Sequence, residues 1–149
     1  MDDSVTIMGL AGKGYCCSQI LLLLALRDMD RENPDLIRAA EGLGKGLGDC
    51  SGPCGVLLGG AAFLGLYAGK GEDMEQPRPE LPAMLDDLRA WFAEATSEFC
   101  GMACKDITGG ECKGPDPMVC GGLIADGRER LLDILADHGL DPAEGRSGA

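Results

Sequence analysis

Histidine is almost missing from this chain of 149 residues, which contains only His138, near the C-terminus. This scarcity argues against catalysis by a histidine base and against zinc sites that combine cysteine with histidine. Aromatic residues are also scarce, at 4%. Leucine, alanine, methionine and cysteine must therefore fill most of the interior.

Positive charge is scarce as well. The chain has 13 Lys and Arg against 25 Asp and Glu, which gives a net charge of −12. Such a surface repels nucleic-acid backbones and anionic membranes, so we expect no nucleic-acid partner. The acidic surface is compatible with a partner protein that has a basic face.

Long hydrophobic runs are also lacking. The longest apolar stretch, residues 54–68, is rich in glycine and too short for a comfortable membrane span, so we expect a buried helix and no membrane insertion. The first four residues include two aspartates and lack the positive flank and apolar run of a secretory signal. These features predict a cytoplasmic protein, in which thiols stay reduced.

Cysteine is the residue that the chain does have. Its eight cysteines exceed ordinary usage but fall short of a secreted disulfide scaffold. A domain of this length buries a core without disulfides. In a cytoplasmic protein, grouped cysteines indicate metal, redox or catalytic roles. The eight are Cys16, Cys17, Cys50, Cys54, Cys100, Cys104, Cys112 and Cys120.

Apolar residues recur at three-and-four spacing in five segments, with no convincing strand pattern. The sequence therefore predicts an all-α, single-domain bundle of about five helices, with cysteines at helix ends. The segments are residues 17–31, 34–43, 54–67, 85–99 and 117–139.

Three regions follow along the chain. Residues 1–14 indicate a flexible N-terminal arm, residues 15–140 the helical domain, and residues 141–149 a disordered tail. Within the domain, the alternating glycines of residues 42–48 indicate a loop or a frayed helix end. Residues 104–116, rich in cysteine and glycine, indicate another loop.

Three cysteines, Cys17, Cys54 and Cys120, fall in the first turn of a predicted helix. Unpaired N–H groups and the helix dipole favour negative charge there, so we expect lowered thiol pKa values. Cys104 follows the fourth helix, and the adjacent Lys105 could stabilise its thiolate. If these helix ends meet, four thiolates converge, which the sequence alone does not establish.

Two glycines are consistent with close packing of these helix ends. Gly55 and Gly59 are four residues apart and share one face of a helix. Their expected role is to let another helix or a ligand approach closely.

Four stretches together carry a family resemblance over most of residues 15–138. They are residues 17–19 (Cys-Ser-Gln), residues 54–59 (Cys-Gly-Val-Leu-Leu-Gly), residues 104–109 (Cys-Lys-Asp-Ile-Thr-Gly) and Cys120 at the start of the last helix. In this the chain resembles the C-GCAxxG-C-C family of small cysteine-motif proteins. Val56 stands where the family pattern has alanine, and Ile107 where it has leucine.

The resemblance implies a redox role but leaves the reaction undefined. The four motif cysteines could hold an iron–sulfur cluster or another thiolate-bound metal. They could instead exchange with a partner disulfide, or form a closed zinc site. The remaining interpretation is that they are small buried hydrophobic residues.

Each of the other four cysteines lies near one of the motif cysteines. Cys16, Cys50, Cys100 and Cys112 could extend the site as additional ligands, form a second site, or be incidental. We predict that replacing Cys50 harms the site less than replacing Cys54.

The sequence thus predicts a redox or electron-transfer protein built on a thiolate centre. No catalytic residue stands out, so we expect a redox carrier or accessory protein more than a stand-alone enzyme. Its partner would be an oxidoreductase or another redox protein. The alternative is a non-redox helical module that binds zinc or a metal in transit.

Overall fold

The computed structural model describes residues 3–109 and 119–146. Within these ranges the chain has seven α-helices and no strand, so the prediction of an all-α protein is confirmed. The helices are α1 (Ser4–Gly12), α2 (Cys17–Asp28), α3 (Pro34–Glu41), α4 (Gly55–Ala68), α5 (Leu81–Ala95), α6 (Cys104–Ile107) and α7 (Val119–Asp137).

The predicted count of five helices is wrong because two short helices escaped the sequence pattern. The first, α1, lies where we expected a flexible arm. It has no amphipathic face, but Ile7 is buried and α1 packs on α2 and α7. The second, α6, is a single turn at the start of the predicted loop of residues 104–116, and residues 110–118 lie outside the described ranges.

The alternating glycines after α3 form a compact structure. A π-type turn spans Gly46–Cys50, with positive φ at all but one of its residues. Lys45, just before it, also has a left-handed backbone, with φ 53°. Glycine adopts such angles without steric cost, so two of the four left-handed positions in the turn are glycines.

Helix α4 lies at the centre of the bundle. It packs against α2, α5 and α7 and is apolar all round, as expected for a helix buried on most sides. Its side chains Phe63, Leu64 and Tyr67 are fully buried, and each such burial contributes roughly 1.5–3 kcal/mol.

A buried arginine in the middle of α7 connects this helix to the start of α1 and the end of α2. Arg128 on α7 is 5% exposed. Its Nε lies 3.2 Å from Asp3 and its Nη2 lies 2.6 Å from Asp28, the last residue of α2. The guanidinium also stands 5.9 Å from the centroid of the Phe63 ring.

The C-terminal segment, where we expected disorder, is described up to Arg146. Residues 142–146 form turns. The Tyr67 hydroxyl donates to the Pro142 carbonyl at 2.9 Å, and Arg146 donates to the Gln76 carbonyl at 3.0 Å. None of the described helices is long and apolar enough to cross a membrane.

Candidate thiol centre

Four cysteines from four separate segments are neighbours in the structure. Cys17 begins α2, Cys54 immediately precedes α4, Cys104 begins α6, and Cys120 lies in α7. Cys120 influences the pKa of each of the other three thiols, and Cys54 is also influenced by Cys104. We call this set the thiol centre.

A small cavity lies among these side chains. Its volume is about 20 Å³, enough for roughly one water molecule or ion. Three of the four centre cysteines line it; the full lining is Cys16, Cys17, Lys45, Cys50, Gly55, Cys104, Thr108 and Cys120.

Hydrogen bonds to α3 fix the first turn of α2, which carries Cys17. The Gln19 side chain accepts from the Cys16 backbone N–H at 3.0 Å and donates to the Ile37 carbonyl at 3.1 Å. The Ser18 hydroxyl donates to the Ala40 carbonyl at 2.7 Å. Because all these groups are buried, each bond also avoids the cost of an unpaired polar atom.

Glycines let α4 approach this turn. A Cβ on Gly59 would lie 2.6 Å from the Ser18 Cα, and one on Gly55 would lie 3.3 Å from the Cys17 Cβ. The close approach that we expected at Gly55 and Gly59 is therefore made to another helix, α2. It brings Cys17 beside the start of α4.

Two backbone segments join the starts of α4 and α6. The Cys54 N–H donates to the Met102 carbonyl at 3.0 Å, and the Cys104 N–H donates to the Gly52 carbonyl at 2.9 Å. Gly46 packs on this junction, where a Cβ would lie 2.8 Å from the Cys104 Cβ. The junction places Cys54 and Cys104 at the same end of the bundle.

The pKa values of these thiols move in the opposite direction to our expectation. At Cys54 the Val56 and Leu57 N–H groups do lower the pKa, as the start of a helix should. Burial and the neighbouring Cys120 and Cys104 outweigh them and raise the pKa to about 11. The helix start thus acts in the expected direction but has a smaller effect than desolvation.

The other thiols follow the same pattern. A hydrogen bond with the Cys120 thiol, together with burial, raises the pKa of Cys17 far above its usual value. Burial also raises the pKa of Cys104, against a lowering contribution from Thr108. These three thiols are therefore protonated at neutral pH, and the neighbouring Cys120 opposes the ionisation of all three.

The additional cysteines have different positions. Cys16 is buried, and its Sγ lies 3.3 Å from the Ser18 Oγ and packs against Gly44. Cys50 lines the cavity and is disulfide-bonded. Cys100 is an exposed thiol, and Cys112 lies outside the described residues.

Lys105, the lysine that the sequence analysis singled out, does not line the cavity. Lys105 is exposed, and its charge adds a minor contribution to the lowered pKa of Asp49, which is set mainly by hydrogen bonds from Ser51. Lys45 lines the cavity instead, and sequence reasoning missed it. The available signal was that Lys45 is the only charged residue within the glycine run of residues 43–48.

The arrangement can serve thiolate chemistry of two kinds, metal binding and disulfide formation. Among the described side chains, no group of three or more His, Cys, Asp or Glu is arranged to hold a metal ion. The donor set itself, four neighbouring thiols from four segments, three of which line one cavity, is of the type that soft metals and iron–sulfur clusters use.

No curated protein and no solved structure matches this chain. One family model does match, over residues 15–134, and carries the description "Putative redox-active protein (C_GCAxxG_C_C)". The match spans most of the chain and includes all four cysteines of the thiol centre. The resemblance drawn from the sequence is thus confirmed, and the chain belongs to the C_GCAxxG_C_C family.

Proposed function

We propose that this chain is a redox protein in which Cys17, Cys54, Cys104 and Cys120 hold an iron–sulfur cluster or another thiolate-bound metal. It acts as an electron carrier or accessory protein. The observation that carries this proposal is that the four family-motif cysteines come from four distant segments and lie close enough to influence one another.

The raised pKa values support a cationic occupant. A protein that uses an unassisted thiolate as nucleophile needs a lowered thiol pKa, whereas burial and the neighbouring thiols raise that of Cys54 to about 11. A bound metal cation offsets the repulsion between sulfurs and deprotonates coordinating thiols. When bound, an iron–sulfur cluster would supply one-electron chemistry.

The chain also offers groups that would tune such a centre. The Val56 and Leu57 N–H groups interact with the Cys54 sulfur. Hydrogen bonds to cluster sulfurs, together with burial, are the main means by which proteins set a cluster's potential. Gln19 and Ser18 hold the segment that carries Cys17.

Partner and location form part of the proposal. The net charge of −12 favours a redox partner with a basic face. Six of the seven cysteines in the described ranges are thiols, the state that the cytoplasm maintains, and the disulfide at Cys50 is the exception among them. We therefore place the protein in the cytoplasm beside an oxidoreductase.

The test is the iron, sulfide and zinc content of anaerobically purified protein, with its visible spectrum. We expect iron, with broad visible absorption, and sulfide if the centre is a cluster. Zinc alone in a colourless protein would replace the proposal with a non-redox metal module. Protein without any metal after reconstitution with iron and sulfide would refute it.

A further inference from the structure

Cys16, which precedes the first family motif and is not part of it, borders the thiol centre. It lines the same small cavity as Cys17, Cys104 and Cys120. Only 7% of its surface is exposed, and it is a free thiol. Cys16 therefore shares with these three cysteines two properties that a ligand of a buried metal needs, a free sulfur and a place on the cavity.

Two contacts locate the Cys16 sulfur. The Sγ lies 3.3 Å from the Ser18 Oγ, and a Cβ on Gly44 would overlap it. Gly44 in turn lies against the start of α4, where a Cβ on Gly55 would be 3.5 Å from the Gly44 Cα and 3.3 Å from the Cys17 Cβ. Because Gly55 also lines the cavity, these contacts hold the Cys16 sulfur next to the cavity and beside Cys17.

The other additional cysteines lack this combination. Cys50 lines the cavity but is disulfide-bonded. Cys100 is an exposed thiol that does not line the cavity, and Cys112 lies outside the described residues. Within the described ranges, Cys16 is thus the only cysteine outside the thiol centre that is both a free thiol and on the cavity.

The helix that Cys16 begins gives no reason for a cysteine at this position. Cys16 is the N-cap residue of α2. Ser, Thr, Asp and Asn are preferred there, because their oxygen accepts a hydrogen bond from the first N–H groups of the helix. A cysteine sulfur is a weak acceptor. A residue that departs from such a local preference is expected at functional sites.

We propose that Cys16 is a further sulfur ligand of the thiol centre, in addition to the four family-motif cysteines. This inference rests on the proposed function and names a ligand from outside the family pattern. The thiolate of Cys16, like those of the other four, selects soft metals.

The first experiment loads the reduced, full-length wild-type protein with cadmium ions of a spin-active isotope. Heteronuclear NMR then correlates the cadmium with the Hβ protons of each cysteine whose sulfur binds it, through the Cd–S–Cβ bonds. We expect a correlation to Cys16. Correlations confined to Cys17, Cys54, Cys104 and Cys120 would overturn the inference, as would wild-type protein that binds no cadmium.

The second experiment compares Cys16→Ser with Cys100→Ser as the matched control. Cys16→Ser should lower the cadmium affinity at least roughly tenfold, because a hydroxyl is a much poorer ligand for soft metals. The ultraviolet absorption of its cadmium–thiolate bonds should fall as well. Cys100→Ser should change neither quantity. Equal cadmium affinity in the two variants would contradict the role of Cys16.

A stability measurement separates loss of a ligand from loss of the fold. Serine is a preferred N-cap residue, so metal-free Cys16→Ser should unfold at the same urea concentration as the wild type or at a higher one. Weaker cadmium binding by an equally stable protein then reports the missing sulfur. If the variant fails to fold, the NMR correlations of the wild-type protein decide the question.

This inference and the proposed function can fail separately. Cadmium bound through the four family-motif cysteines alone would refute the role of Cys16 and leave the proposed function in place. Protein that binds added cadmium through Cys16, but never holds iron, sulfide or zinc, would refute the proposed function and leave Cys16 as a ligand.

Discussion

At the scale of single residues, the thiol centre is governed by competition between local backbone and burial. At Cys54, backbone N–H groups favour the thiolate, while desolvation and the neighbouring thiols oppose it more strongly. A cysteine at a helix start is therefore not by itself an activated nucleophile. Under the proposed function, a bound cation would shift this competition in favour of the thiolate.

The free energy of unfolding of metal-free, reduced protein should fall as pH rises from about 9 to 11. The folded-state pKa of Cys54, about 11, lies above the unfolded value of 9.0. Its contribution is therefore complete below pH 9 and lost as pH rises through 11. The loss from this thiol is at most about 3 kcal/mol.

Urea unfolding at several pH values measures this effect, with the Cys54→Ala variant as control. Lysine and tyrosine titrate in both proteins, so their contributions cancel in the comparison. A wild-type protein whose pH response matches that of the variant would contradict the raised pKa.

Replacing Cys54 with serine should reduce the metal content by at least roughly tenfold, because a hydroxyl is a much poorer ligand for soft metals. The matched control is Cys100→Ser, since Cys100 is an exposed thiol outside the cavity. Iron and zinc analysis of both purified variants measures the difference. An equal loss of metal in the two variants would show that Cys54 is not a metal ligand.

At the scale of helices, contact between α2 and α4 determines whether the thiols meet. Gly59→Ala should destabilise the fold by about 1–3 kcal/mol, since the new Cβ would lie 2.6 Å from the Ser18 Cα. The control, Gly65→Ala on the same helix, adds a Cβ in open space and should stabilise by up to about 1 kcal/mol.

Chemical denaturation measures the change in the free energy of unfolding of both variants, and metal analysis provides a second readout. Displacement of α2 from α4 should also lower metal content in Gly59→Ala and leave it unchanged in Gly65→Ala. Equal stability of the two variants would show that α2 and α4 tolerate separation at this point.

The buried ion pairs of Arg128 should matter more than an exposed pair of the same type. Arg128→Ala leaves Asp28 and Asp3 without their cation and should cost about 3–5 kcal/mol. Arg38→Ala removes an exposed pair with Asp35 and should cost less than about 1 kcal/mol. Thermal unfolding measures the loss of stability in each variant. Similar losses in the two would show that burial does not make the Arg128 pairs more important.

The helices differ in how far the sequence predicts them. Helices α2 and α5 contain long apolar repeats, so their existence was evident. Helix α1 has glycines at positions 9 and 12 and no single apolar face, and it depends on tertiary contacts through Ile7. The turn at Gly46–Cys50 depends on left-handed backbone angles, which the glycine run permits but does not specify.

The thiol centre was predictable in composition and only partly in geometry. The motifs identified its four cysteines and the glycines Gly55 and Gly59. Their convergence depends on long-range contacts, such as the hydrogen bond from Cys104 to Gly52, that no local pattern encodes. The direction of the thiol pKa shifts likewise depended on burial, which follows from the packed fold.

At the scale of the whole molecule, metal loading should stabilise the protein. A ligand that binds only the folded state adds about 2.7 kcal/mol at a hundredfold excess over its dissociation constant. For a domain of this size that corresponds to a rise in Tm of roughly 10 °C. Calorimetry of loaded and metal-free protein measures it, and the same Tm in both would contradict binding at the centre.

The wide separation of the four cysteines along the chain has a consequence for biosynthesis. Cys17 leaves the ribosome long before Cys120, so a growing chain lacks a complete set of sulfurs until α7 emerges. Under the proposed function, insertion of the metal therefore follows translation. The metal must then be delivered to a finished polypeptide, and a product truncated before α7 would contain only three of the four centre cysteines and would never become a carrier.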